Sequence, residues 1–155
     1  MKTVLIALDY DPSAEIIAQT GFDIAKAMQA KIILLHVVAD PGYYTDIAYS
    51  PIMGFNGFIY PGIDEMLEKE LLKDSNEYLE RTKEHLGDTG IETLVVEGDF
   101  VESIVDKSKE LHADLIVIGT HSRRGLDKMM SANTVEKLLN RLKIPMLVIP
   151  NVSAE

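Results

Sequence analysis

Five short apolar segments divide the chain, and none of them has the three- to four-residue period of an amphipathic helix. Four are continuous and rich in branched side chains, at residues 4–8, 32–38, 115–118 and Met146–Ile149. Such runs are typical of strands that are covered on both faces, as in a parallel sheet. The fifth, residues 91–96, is interrupted by Glu92 and Thr93. It predicts a strand at the edge of the sheet.

Amphipathic segments alternate with these runs. Residues 12–30 carry a broad apolar stripe, and Asp11 followed by Pro12 is a typical helix start. Residues 63–86 repeat apolar side chains at three- and four-residue steps in an acidic background, and Gly87 predicts the end of that helix. Two further helices are predicted from capping-box spacing, at Asp99 with Glu102 and at Asn133 with Glu136.

The order of the elements is therefore a strand and a helix, four times over, followed by a last strand. This alternation predicts one open five-stranded parallel sheet with helices on both faces, an α/β fold. No internal repeat, linker or low-complexity tract divides the sequence, so residues 1–155 are interpreted as a single domain. The unusual connection is 39–62, which has no apolar period but holds six of the ten aromatic residues. We expect this loop to be a lid or an interface element.

The charge of the chain narrows the classes of partner. Its formal net charge is −10, which disfavours nucleic acid and anionic membrane surfaces. There is no cysteine, so disulfides and thiolate chemistry are excluded. No segment has the length of a membrane span or the pattern of a signal peptide. A cytoplasmic location is the simplest expectation.

Candidate chemistry lies where two predicted strands end. In an open α/β sheet, ligands bind beyond the carboxyl ends of the strands, at the point where the strand order reverses. The first strand ends at Asp9, and the fourth leads into the loop 119–125, which contains Arg123 and Arg124. That loop runs to a predicted helix start near 131–134, where free N–H groups attract anions. A phosphate site and a solvated basic turn next to an ordinary helix cap both remain open.

Several segments together resemble the universal stress protein family. They are residues 4–9, Leu35-His36-Val37, Glu97-Gly98-Asp99, residues 113–121 and residues 144–149. The resemblance spans nearly the whole chain apart from 40–62. It implies a Rossmann-like sheet of order 3-2-1-4-5, of the adenine nucleotide α-hydrolase-like type, and a stress-response binding protein rather than an enzyme. It also implies a homodimer in which the Met146–Ile149 strands pair antiparallel across a two-fold axis.

The ATP-binding branch of that family holds its nucleotide with the motif Gly-x2-Gly-x9-Gly-Ser/Thr. In this chain the motif positions fall on Gly119, Ser122, Ala132 and Asn133, so only the first agrees. A serine or alanine that must take a positive φ costs about 1–2 kcal/mol. The resemblance implies a site for ATP or AMP built from Ala7, Leu8, Asp9, Val37, Ile118, Gly119, His121, Ser122, Arg123, Ala132, Asn133 and Thr134. A nucleotide-independent dimeric interaction module is the alternative.

Catalytic and metal sites are not expected. The four histidines share no metal-ligand spacing, and His36, at the end of an apolar strand, is interpreted as a half-buried histidine with a hydrogen-bond partner. No Gly-x-Ser-x-Gly elbow or P-loop is present. A receiver domain would need an aspartate after the third strand and a lysine after the fifth, where this chain has Glu97 and Pro150. An ATP hydrolase is supported by no group other than Asp9.

Overall fold

The computed structural model describes residues 1–9, 13–38, 63–120 and 132–150, and in these parts it contains each of the predicted strands and helices. The elements are β1 (Thr3–Ala7), α1 (Ala14–Ala27), β2 (Lys31–Val38), α2 (Ile63–Leu86), β3 (Glu92–Glu97), α3 (Phe100–Glu110), β4 (Leu115–Gly119), α4 (Ala132–Arg141) and β5 (Met146–Ile149). The predicted loop 39–62 lies outside the described residues.

The five strands form one sheet in the order β3-β2-β1-β4-β5, and every neighbouring pair is parallel. This confirms the sheet that the sequence and the family resemblance predict, including the position of β3 at an edge. In the centre, Leu5 of β1 lies opposite Ile116 of β4. The connection through α1 leads from β1 to β2 on one side, whereas β4 lies on the other side. The strand order therefore reverses between β1 and β4.

Alternate side chains of each strand face opposite layers of helices. On β1, Val4 and Ile6 pack with α1 and α2, and Leu5 and Ala7 pack with α3 and α4. All of these strand side chains are fully buried, because a parallel sheet covered on both faces leaves its central strands no solvent-facing side. The predicted helices on both faces are thus confirmed.

Helix α1 lies unusually close to the sheet at Gly21. A Cβ atom at this position would lie 2.9 Å from Cδ1 of Ile6 and 3.2 Å from Cγ1 of Val117. Glycine in a helix interior costs about 1 kcal/mol relative to alanine. The close approach of α1 to β1 and β4 is what this glycine permits.

Two predicted helix N-caps are wrong, although the last helix starts within the predicted 131–134. Helix α1 begins at Ala14 with Ser13 as its N-cap, not at Pro12, and Asp11 and Pro12 lie outside the described residues. Helix α4 begins at Ala132, so Asn133 lies within the first turn and is not the N-cap. The reason is general: capping-box spacing places an acceptor and a glutamate three residues apart, but several polar residues near a start satisfy it.

Two other predicted helix boundaries are confirmed, the start of α3 and the end of α2, whereas α1 ends at Ala27 and not at residue 30. The Asp99 carboxylate accepts a hydrogen bond from the backbone N–H of Glu102 at 2.9 Å, as an N-cap does. Gly87 follows α2 with a φ of +73°, the left-handed conformation that glycine adopts without strain. The carboxylate of Glu102 forms a double hydrogen bond with Arg141 at the end of α4, which ties the two helices on this face together.

Candidate functional site

The candidate site begins where β1 and β4 leave the sheet side by side. Ala7, Leu8 and Asp9 follow the centre of β1, and Ile118 and Gly119 end β4; all five are buried. The pairing of Ile6 with Val117 brings these two strand ends to one edge. Beyond that edge the described chain continues only to Thr120, whose N–H donates to the carbonyl of Ile149 at 3.0 Å.

Three hydrogen bonds hold the end of β1 in place. The N–H of Leu8 donates to the carbonyl of Leu35 at 2.9 Å, which extends the β1–β2 ladder by one step. The carbonyl of Leu8 in turn lies 2.8 Å from Nδ1 of His36, and the hydroxyl of Tyr78 donates to the carbonyl of Asp9 at 2.7 Å. Because a carbonyl only accepts, Nδ1 of His36 carries the hydrogen in this contact.

His36 is therefore a structural histidine with a partner, as predicted, although it is buried rather than half-buried. Its ring meets the ring of Tyr78 edge to face, with centroids 6.0 Å apart and planes at 74°. Tyr78 is one of the repeating apolar positions of residues 63–86, but its part at the strand end was missed in the sequence. The available signal was chemical, since a tyrosine in an apolar stripe needs a partner for its hydroxyl.

The first turn of α4 supplies the opposite wall. A helix that follows a parallel strand starts at the carboxyl edge of the sheet, so the backbone N–H groups of the first turn of α4 lie at the same edge as Asp9. Asn133 is exposed and Thr134 is buried. The first turn of α4 contains no acidic residue, whereas Glu15 and Glu102 occupy the first turns of α1 and α3. Within the described residues, the first turn of α4 thus contributes no carboxylate of its own to the positive end of the helix dipole.

The described strands bring together part of the predicted site. Ala7, Leu8 and Asp9 lie next to Ile118 and Gly119, and Val37 follows the neighbouring part of β2 at the same edge. His121, Ser122 and Arg123 lie outside the described residues, as does the side chain of Ala132. Asp9, 7% exposed, places a buried carboxylate at this edge. Among the described residues, no group of three or more histidines and acids is arranged to hold a metal ion.

In the part of the chain that the structure describes, no helix is long and apolar enough to span a bilayer.

Comparison with known proteins places this architecture in a family. The sequence model described as Universal stress protein family matches residues 1–150. Universal stress protein A of Salmonella typhi is 30% identical over 149 residues, which cover 96% of this chain and 94% of that protein. A universal stress protein structure from Lactobacillus plantarum is 19% identical and superposes with a TM-score of 0.70 over 96% of this chain and 97% of that one.

Two further similar structures contain nucleotides. A universal stress protein in complex with cAMP is 23% identical, with a TM-score of 0.57 over 96% of this chain and 95% of that one. The universal stress protein of Archaeoglobus fulgidus in complex with dAMP is 18% identical, with a TM-score of 0.58 over 96% and 98%. With a family match along nearly its entire length and the same fold as these structures, the chain belongs to the universal stress protein family.

Proposed function

We propose that this protein is a regulatory binding protein of the stress response that holds an adenine nucleotide, AMP or ATP, at the carboxyl edge of its sheet. The observation that carries the proposal is the reversal of strand order between β1 and β4 next to the acid-free first turn of α4. Such a crevice is where open α/β sheets bind ligands, and free helix N–H groups attract phosphate.

The similar structures support the class of ligand. One is a complex with cAMP and another a complex with dAMP. Both ligands combine an adenine, a sugar and one phosphate. A single phosphate is also what the α4 N-terminus suits best, because one anionic group can sit over the N–H groups of the first turn without the loop wrapping around a chain of phosphates.

In this proposal the adenosine lies beside Ala7–Asp9 and Val37, and the phosphate lies between Gly119 and the start of α4. His121, Ser122 and Arg123 complete the loop around it. The substitutions in the ATP motif oppose tight wrapping, because Ser122 and Ala132 carry a Cβ where the motif has glycine. We therefore expect AMP to bind this protein better than ATP.

The first experiment identifies the ligand. Protein purified natively is released from any bound molecule by denaturation, and the supernatant is examined by mass spectrometry. Calorimetry with AMP, ATP and GMP then compares affinities. Binding of AMP, weaker binding of ATP and little heat with GMP support the proposal. No heat with any adenine nucleotide, and none co-purified, favours the nucleotide-independent interaction module.

We further propose that the protein is a homodimer through β5. In the isolated chain Met146, Leu147 and Val148 remain partly exposed although all are apolar. At the opposite edge of the sheet, β3 begins and ends with a glutamate. Charged residues protect an edge strand from pairing, and β5 lacks them.

The backbone of β5 indicates the register of such a dimer. The carbonyls of Pro145 and Ile149 accept hydrogen bonds from β4, so the intervening Met146 and Val148 direct their N–H and C=O groups to the open edge. Pro150 has no N–H to continue the row. An antiparallel pair centred on Leu147 would satisfy the outward groups of both chains.

Light scattering tests the dimer. Val148→Lys should convert the dimer to a 17 kDa monomer, because dimerisation would bring the lysine ammonium groups of both chains together at the contact between the two β5 strands. The matched control is Val96→Lys, the same change at a partly buried position of the opposite edge strand. A wild-type protein that stays monomeric at micromolar concentration, or equal dissociation by both variants, would contradict this register.

A further inference from the structure

A cavity lies at the edge of the sheet opposite to the proposed nucleotide site. It has a volume of about 420 Å³ and lies between the end of α3 and the end of α4. Its lining residues are Val105, Ser108, Lys109, His112, Ala113 and residues 141–144. Both helices end at the amino edge of the sheet, so this amino-edge cavity is separated from the carboxyl edge by the length of the strands.

The floor of the amino-edge cavity is apolar. Val105 and Ala113 are buried members of the core, and Leu142 and Ile144 pack against the same cluster. The hydroxyl of Ser108 is buried as well, and it donates to the carbonyl of Val105 at 2.7 Å. Because the Ser108 hydroxyl already donates its hydrogen within α3, the floor of the cavity offers a ligand a mainly apolar surface.

The rim of the amino-edge cavity is basic. Lys109, His112, Arg141 and Lys143 all line it, and none of its lining residues is acidic. This is unexpected in a chain with 25 acidic and 15 basic residues. On this rim Arg141 forms a double hydrogen bond with the carboxylate of Glu102, which raises the pKa of the guanidinium.

Interaction with the dipoles of α3 and α4 explains only some of the basic residues on the rim. Basic side chains stabilise helix C-termini, which accounts for Lys109 and Arg141 in the last turns. Lys143 and His112, however, lie beyond the helices. The final carbonyls of α3 are already satisfied, since those of residues 107, 108 and 109 accept hydrogen bonds from the N–H groups of residues 111, 113 and 112.

His112 occupies a backbone position that glycine usually takes. Its φ is +50°, the left-handed conformation that follows a helix end, and a residue with a Cβ is strained there by about 1–2 kcal/mol. Strained residues concentrate at functional sites, where their side chains are used. At this position the strain places an imidazole on the rim of the cavity.

We propose that the amino-edge cavity binds a small organic anion, with its apolar body on the floor and its single anionic head group among Lys109, His112, Arg141 and Lys143. The volume lies within the range of about 300–1,000 Å³ that small-molecule sites occupy. The head group gains charge-assisted hydrogen bonds from several donors, and the body gains burial against the core. The site is independent of the nucleotide, so the two proposals stand or fall separately.

Three probes distinguish the parts of this ligand: 4-phenylbutyrate, its neutral counterpart 4-phenylbutyramide, and inorganic phosphate as a head group alone. Each is titrated into the uniformly ¹⁵N-labelled protein while backbone resonances are followed. We expect 4-phenylbutyrate to shift the N–H signals of Ser108, Ala113 and Ile144 saturably, with no competition from AMP. The neutral counterpart should bind at least about tenfold more weakly, and phosphate should produce no comparable shift.

Variants then test the basic rim. Lys109→Gln with Lys143→Gln removes two exposed charges and should weaken 4-phenylbutyrate at least about tenfold. The matched control is Lys69→Gln with Lys73→Gln, the same two changes on the exposed side of α2, which should leave binding unchanged. Equal binding of the acid and its neutral counterpart, equal loss in both double variants, or no saturable shift with any probe at about 10 mM would overturn the proposal.

Discussion

Replacing Asn133 with glutamate separates the stability of α4 from the binding of a nucleotide. Asn133 is exposed in the first turn, so a glutamate meets no packed neighbour. A carboxylate there complements the helix dipole, as Glu102 does in α3, and should stabilise the fold by about 0.3–1 kcal/mol. The same carboxylate would lie close to the proposed phosphate.

The expected loss of affinity follows from Coulomb's law. Two unit charges about 7 Å apart repel by about 2 kcal/mol at an effective dielectric constant of about 20. Salt screening at an exposed edge reduces this to about 1–2 kcal/mol, or about 5- to 30-fold in the affinity for AMP. Asn133→Glu should therefore raise the melting temperature of the free protein and weaken AMP binding.

The matched control is Asn140→Glu. It adds the same charge to an exposed position of the same helix, but in the last turn, where a carboxylate opposes the dipole. We expect it to lower the melting temperature slightly and to leave AMP affinity unchanged. Calorimetry and thermal unfolding measure both effects. Measurable AMP binding that is equally strong in wild type and Asn133→Glu would refute the placement of the phosphate at α4.

Three further predictions follow from the loop, the strand end and the surface charges. Ser122→Gly with Ala132→Gly should tighten ATP binding by about 1–3 kcal/mol if both positions need a positive φ, and unchanged calorimetric affinity would show that they do not. Tyr78→Phe should lower the free energy of unfolding in urea by about 1–2 kcal/mol, because the carbonyl of Asp9 loses its 2.7 Å hydrogen bond; an unchanged midpoint would contradict this. The N–H of Thr3, together with the charge of Lys2, lowers the pKa of Asp114. The Asp114 carboxylate should thus stabilise the fold at pH values above its unfolded pKa of about 4, and this contribution should be lost as the pH falls through the lower pKa of the folded state. Asp114→Asn should flatten the free energy of unfolding over that pH range.

The strands were predictable from sequence because their signal is local. A continuous branched apolar run such as 32–38 must be covered on both faces, which identifies a central strand. The observed strand Lys31–Val38 differs from this predicted one by a single residue. Predicting the order of the strands required the family resemblance, because the alternation of strands and helices along the chain does not determine which strands are neighbours in the sheet. The edge position of β3 could be predicted from the sequence alone, because Glu92 and Thr93 interrupt its apolar run and indicate a partly solvated strand.

The candidate site was less predictable because it depends on contacts between distant elements. Asp9 and Gly119 could be placed at one edge only after β1 and β4 were taken as neighbours. The bond from Tyr78 to the carbonyl of Asp9 joins residues 69 positions apart, and no local pattern marks it. The start of α4 lies within the predicted 131–134, but Asn133 was wrongly taken as its N-cap, because a side chain able to cap a helix is also tolerated in its first turn.

The unlike edges of the sheet limit how far an assembly of these chains can grow. A sheet whose two edge strands are both free to pair can add further chains at either edge indefinitely, which is the route to fibrils. Here the edge strand β3 begins and ends with the carboxylates of Glu92 and Glu97, and the opposite edge strand is the four-residue, uncharged β5 between Pro145 and Pro150. Once two copies join at the uncharged margin, both outer margins of the joint sheet repel further strands. Association through this edge would therefore stop at two chains.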